Sequence, residues 1–335
     1  MTSNKKKFDS PLQATITGIV ELFKKQERIG SLGPEERLDG KKVMITGSSS
    51  GLGLAVAKKI ASLGGEIIMA VRSGIPEKGE EVKFASGSSA VKMLHVDLSD
   101  FSSIHNLTNS LLNEVGKIDI LICNAAIVVG NARQTKDGID EMFMVNYLSK
   151  FVLVNQMITK NCFNKSQDHH PRIIFVSSES HRNPVEFEWD SFGQFKPHSM
   201  SKTVERYGYY KLLLTTFSKE LSLRLNKDDS NLFSIFTLCP GPINSNIARE
   251  APKWVQAPMK LIFKLFFRSP EEAAEPVVYL STAQSLEGKA FDYLYLMSRK
   301  EVDEMASDPD NGRILWDKTM NLLRKLDFLD ENEIV

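Results

Sequence analysis

KKVMITGSSSGLGLAVAKKIASL, residues 41–63, passes from strand to turn to helix within one short stretch. Val43–Thr46 is apolar and strand-like, and from Leu52 to about Leu63 the apolar residues recur at helical intervals. Between them Gly47, Gly51 and Gly53 stand in Gly-x-x-x-Gly-x-Gly spacing. Such a turn needs a residue tolerant of φ > 0, and a backbone without Cβ where a pyrophosphate approaches. The backbone of Ser49, Ser50, Gly51, Leu52 and Gly53 would then offer N–H groups, and the positive end of a helix, to the phosphates. Any tight strand-to-helix turn favours glycine, so the pattern alone is weak; its place on the first strand of a long alternation strengthens it.

Outward from this turn, short apolar runs alternate with helical segments. Strands are expected at 66–71, 90–97, 117–124, 172–178, 232–242 and 288–296. The helices between them include a continuous one through 139–158 and one that carries Tyr207 as far as about Leu225. Strands that are apolar throughout must be covered on both faces. With right-handed crossovers, that means a Rossmann-type α/β fold, a doubly wound parallel sheet of about seven strands in a single domain. Residues 1–40 read as a lead-in arm, 41–300 as the domain with a lid over about 244–270, and 301–335 as a helical tail.

Basic and acidic residues balance at 42 each, so no global field points to nucleic acid or an acidic partner. Cys123, Cys162 and Cys239 are too few and too scattered for a disulfide framework or a zinc site, so no metal is expected and a reducing compartment fits. No run reaches the roughly 18–20 apolar residues that cross a bilayer. The expectation is a cytoplasmic chain, with peripheral contact at a membrane surface as the alternative.

The chemistry lies further along. Tyr207 and Lys211 stand four residues apart in ERYGYYKLLLTTFSKEL and so share a helix face. A free phenol titrates near ~10; an ammonium beside it, with a positive nicotinamide, favours the phenolate. In reduction the phenol gives its proton to a carbonyl oxygen as hydride reaches carbon. Tyr209 and Tyr210 have Leu213 and Leu214 at the same spacing and lack that partner. Ser178, with Ser177 as the adjacent alternative, closes the fifth strand, where ligands of open α/β sheets gather. Asn146 is polar within an apolar helix, and either a buried hydrogen-bonding role or a place in the site explains it. The second strand ends at Arg72 with no acid beside it, which favours NADP(H) and leaves NAD(H) as the alternative. A solvated arginine is the plainer reading. Asp97 is placed to bond an adenine amine with Leu98 packed beside it, or simply to cap a helix.

This ordered set resembles the short-chain dehydrogenase/reductase family in its single-domain form. The matches are Thr46-Gly47-x-x-x-Gly51-x-Gly53, Asp97-Leu98, Asn124-Ala125-Ala126, Asn146, Ser177-Ser178, Tyr207-x-x-x-Lys211 and Pro240-Gly241, over roughly residues 40–300. The resemblance implies Tyr207 as general acid/base, Ser178 polarising the substrate oxygen, Lys211 bonding the nicotinamide ribose, and Asn146 holding a water in a relay to the lysine. It implies cofactor contacts from Asn124, Ala125 and Ala126, from Pro240 and Gly241, through the backbone of Ile243, and from Ser245, where the family usually has threonine. Cys123-Asn124-Ala125-Ala126 departs from the usual Asn-Asn-Ala-Gly. A homodimer or homotetramer, paired through the two helices flanking the active site, is a further implication.

Between Ser178 and Tyr207 lies a long insertion whose Phe187, Trp189, Phe192 and Phe195 either wall a substrate cleft or pack on the sheet. Beyond the Pro-Gly turn, Met259, Leu261, Ile262, Phe263, Leu265, Phe266 and Phe267 form an apolar helix. It reads as a pocket lid, a membrane-surface contact or a subunit contact. With the tail NGRILWDKTMNLLRKL, these features look like the retinol-dehydrogenase-like branch. The expected function is NADP(H)-dependent interconversion of carbonyl and alcohol on a lipophilic small molecule. The alternatives are a catalytically inactive dinucleotide-sensing regulator and a membrane-surface protein of the same fold.

Overall fold

The computed structural model describes residues 27–166, 169–227, 233–243 and 268–328. Ser245 and the expected lid helix lie outside the described residues. β1 (Lys42–Thr46), β2 (Glu66–Val71), β3 (Val91–His95), β4 (Ile120–Cys123), β5 (Arg172–Val176), β6 (Ser234–Cys239) and β7 (Phe291–Tyr295) are parallel. The eight-stranded sheet runs β3-β2-β1-β4-β5-β6-β7-β8. β8 (Ser298–Arg299) is a short antiparallel addition to the expected seven strands, paired back on β7.

Strand residues alternate between two cores, as a pleated strand buried on both faces must. Val43 and Ile45 of β1 join Ile174 of β5 and Phe236 of β6 beneath α1 (Gly51–Ser62) and α6 (Pro270–Thr282). Met44, Ile173 and Phe175 face the opposite layer. That layer contains α3 (Phe101–Glu114), α4 (Ser149–Thr159), α5 (Thr203–Leu225) and α7 (Pro309–Lys325). Helix starts follow their local chemistry. Ser269 and Glu272 form a reciprocal capping box on α6, and Asp100 and Asp308 accept N–H groups at the starts of α3 and α7.

Two elements differ from expectation. The segment read as one helix through 139–158 is broken by a π-helical turn at Met144–Leu148, between a short turn at Glu141–Phe143 and α4. Apolar periodicity carries no mark of the extra residue in that turn. α2 (Glu77–Ser86) was not anticipated, because it buries only Gly79 and Val82 and so presents almost no apolar stripe. Among the described residues no helix is long and apolar enough to cross a membrane.

Candidate active site

Every candidate described stands at or just beyond the carboxyl end of a strand or on a helix that packs there. The order β2-β1-β4-β5 puts the crossover between β1 and β4, where an open α/β sheet leaves its crevice. The glycine turn leaves β1 with Gly47 at φ +68°, and a Cβ there would lie 2.8 Å from the Cα of Ala125. Asn124 Nδ2 donates to the carbonyls of Thr46 (3.0 Å) and Gly47 (3.2 Å). Thr46 Oγ1 accepts from the N–H groups of Asn124 (3.1 Å) and Ala125 (3.2 Å). The segment after β4 therefore clamps the glycine turn, and the Asn124 side chain is spent on that clamp. Ser50 is the N-cap of α1, yet its hydroxyl makes no capping bond. The first-turn N–H groups, unpaired within any helix, are left to face an anion.

Arg72 follows the last residue of β2 with its guanidinium more than half exposed, and its Nη1 lies 3.9 Å from Asp97 Oδ2. Asp97 Oδ1 accepts from Ser99 N (2.9 Å) and Ser99 Oγ (2.6 Å), so it shapes the turn before α3; the cap of that helix is Asp100. Leu98 is buried beside it. After β6 the chain turns at Pro240 and at Gly241, whose φ is +79°. Ile243 then pairs with Arg268 as an isolated bridge and packs against the α1–α6 core.

The two serines after β5 separate cleanly. Ser177 Oγ shares a hydrogen with Thr215 Oγ1 at 2.7 Å in the core. Ser178 turns the other way, toward the Tyr207 hydroxyl. Burial, and then Cys239, raise the Tyr207 phenol well above its ordinary range, and the neighbouring Ser178 opposes that shift. Lys211, one turn on, donates from Nζ to the Val176 carbonyl at 2.7 Å, with the ammonium 5.6 Å from the Tyr207 ring centre. Burial brings Lys211 down to about 8. Tyr209 and Tyr210 face elsewhere: Tyr209 Oη accepts the Glu188 N–H (3.1 Å), and Tyr210 lies beside Asp140.

Asn146 lies inside the π turn and is fully buried. Its Oδ1 accepts the Ile127 N–H and its Nδ2 donates to the Ile127 carbonyl, both at 2.9 Å. It thus ties the turn to the strand end after Asn124, Ala125 and Ala126. Of the insertion's aromatics, Phe187 and Trp189 stack 4.3 Å apart, and Phe192 meets Phe143 edge-on at 5.5 Å. These three pack against the core of the α4–α5 layer, which favours the packing alternative over a cleft wall. Three residues close to the site escaped the sequence reading: Ser180, Ile127 and the buried Lys150. Only Ser180 left a trace, as the third serine in VSSES.

A family model described as short chain dehydrogenase matches residues 41–189. Retinol dehydrogenase 13 of Mus musculus is 30% identical over 318 residues, covering 92% of this chain and 91% of that protein. The chain is a short-chain dehydrogenase/reductase of the retinol-dehydrogenase-like branch. Human polyprenol dehydrogenase is 27% identical over 289 residues, with 85% of each covered. Among solved structures, the Pseudomonas aeruginosa RhlG/NADP active-site complex superposes with a TM-score of 0.61 at 18% identity, over 79% of this chain and 98% of that one. Its likeness concerns the fold. The residues of this short-chain dehydrogenase fit a nicotinamide dinucleotide: the turn at Gly47 has no room for a Cβ, and the start of α1 is uncapped by a side chain.

Proposed function

We propose that the chain interconverts a carbonyl and an alcohol on a lipophilic small molecule, with NADP(H) as the preferred coenzyme and Tyr207 as general acid/base. The observation that carries this reading is the meeting of Tyr207, Ser178 and Lys211 beyond β5, with only β4 between that strand and the β1 of the glycine turn. The coenzyme, when bound, supplies or accepts the hydride. In reduction, Ser178 donates to the carbonyl oxygen while Tyr207 delivers a proton to it as negative charge develops. A phenol raised by burial arrives protonated, the state that reduction requires. Lys211, brought to about 8, keeps a proton at neutral pH behind it. Among the described residues, only the 3.9 Å approach of Asp97 competes with a 2′-phosphate for the Arg72 guanidinium, which supports NADP(H). The names of the retinol and polyprenol relatives support a lipophilic alcohol or its carbonyl as substrate.

The test is NADPH and NADH oxidation against retinoid, aliphatic, aromatic and steroid carbonyls. Tyr207→Phe should lose about 10²–10⁴-fold in kcat, the usual reach of general acid catalysis. Undiminished turnover in that variant would remove Tyr207 from the reaction. Arg72→Ala should raise KM for NADPH and leave KM for NADH unchanged; a wild-type preference for NADH would refute the assignment of Arg72.

A further inference from the structure

We propose that Ser180 is a positioning residue that makes Ser178 an obligate hydrogen-bond donor toward the reacting oxygen, an inference that rests on the oxidoreductase reading above and deepens it. A serine hydroxyl has one hydrogen to give and two lone pairs with which to accept. Ser178 Oγ accepts from Ser180 Oγ at 2.9 Å and from Ser180 N at 3.3 Å. Both lone pairs are thereby engaged from behind. The remaining hydrogen is the one Ser178 can give, and with Tyr207 beside it a substrate oxygen placed between the two would receive it. Without Ser180 the hydroxyl of Ser178 would be free to rotate and to accept from Tyr207, the polarity that does nothing for a developing alkoxide.

The surroundings hold this arrangement rigid. Ser180 lies in the short 3₁₀ turn Glu179–Arg182, which packs on α5 at its catalytic turn. The Ser180 carbonyl sits so close to Gly208, the residue after Tyr207, that a Cβ there would meet it at 2.7 Å. The Ser178 carbonyl accepts from His181 Nδ1 (2.7 Å) and from His181 N (3.1 Å). The neighbouring carboxylate does not compete for the Ser178 hydrogen, since Glu179 is engaged by Tyr293 Oη (2.8 Å) and Lys300 Nζ (2.5 Å). The charged and titratable groups around Ser178 and Tyr207 include Lys211 from α5, Cys239 from β6, Tyr293 from β7, Lys300 just after β8, and Glu179, His181 and Arg182 from the turn after Ser178.

Ser180→Ala, Ser180→Thr and Ser178→Ala test the inference, with NADPH binding by fluorescence as the check on folding. Losing one donor in the chain should lower kcat for carbonyl reduction about three- to tenfold in Ser180→Ala, with KM for NADPH unchanged. In alcohol oxidation the phenolate loses support, so the limb of the pH–rate profile governed by Tyr207 should move to higher pH. Ser180→Thr keeps the hydroxyl and should stay within about twofold of the parent on both measures. Wild-type kcat with an unmoved limb in Ser180→Ala overturns the inference, and so does a Ser180→Thr as impaired as Ser180→Ala. The reference variants separate the two readings. If Ser178→Ala and Tyr207→Phe both turn over normally, the oxidoreductase reading falls and takes this one with it. If they are inactive while Ser180→Ala is not, the role of Ser180 alone is lost.

Discussion

Lys150, fully buried on α4, shows what a single side chain costs in this core. Its Nζ donates to the Val145 carbonyl, which also accepts Ser149 Oγ at 3.0 Å. Burial, and then the charge on Lys211, bring Lys150 down to about 7, with Cys123 opposing weakly. An unfolded lysine titrates near ~10.4. Below pH 7 both states hold the proton and the folded state bears the full desolvation cost. From about 7 up to about 10 the unfolded chain holds a proton that the folded chain has released, so stability rises with pH across that window. Lys150→Met fills the same volume without a charge, and Ser149 still serves the carbonyl. Melts at pH 6 should show Tm raised by about 2–4 °C per kcal/mol recovered, with the gain shrinking toward pH 10. A variant less stable at pH 6 than at pH 9, relative to the parent, would contradict the sign. At this scale the sequence read well where chemistry is local: the Tyr207–Lys211 spacing is a helical turn whatever surrounds it. The family resemblance favoured Ser178 over Ser177, but spacing alone gives no reason for it; the packing of Thr215 draws the Ser177 hydroxyl away.

Among the elements, the π turn and the tail helix account for most of what periodicity left unread. The π turn inserts Asn146 opposite the Ile127 backbone, a pairing between residues nineteen apart that no apolar pattern encodes. α7 is amphipathic and legible as a helix, but its docking partner was not. Trp316 of α7 lies 4.9 Å from Phe151 of α4 and 5.9 Å from Phe217 of α5, while the Arg224 guanidinium covers its ring at 4.0 Å. Thr319 Oγ1 shares a hydrogen with Tyr147 Oη at 2.5 Å in the same layer. Trp316→Ala should therefore cost about 3–5 kcal/mol in urea unfolding, the range for a large buried aromatic. A loss below about 1 kcal/mol would mean that α7 is an appendage and no part of the fold's stability.

For the whole molecule, the placement of α7 bears on assembly. The family resemblance implies pairing through the helices that flank the active site, which here are α4 and α5. α7 lies across both and buries Leu315, Trp316 and Leu323 against them. That face is used within one chain, so light scattering should return a single-chain mass of 37.6 kDa. Twice that mass, unchanged in Trp316→Ala, would place an interface on another surface.

The succession of the seven parallel strands, the two-sided sheet, the glycine turn and the tyrosine–lysine pair were all determined by the sequence itself. Each depends on periods and spacings within a few residues, which backbone geometry converts directly into position. Tertiary structure alone decided what draws the Ser177 hydroxyl into the core, what Asn124 and Asn146 hold, and which helices α7 covers. Those outcomes depend on groups far apart in the chain competing for the same hydrogen bonds and the same buried volume.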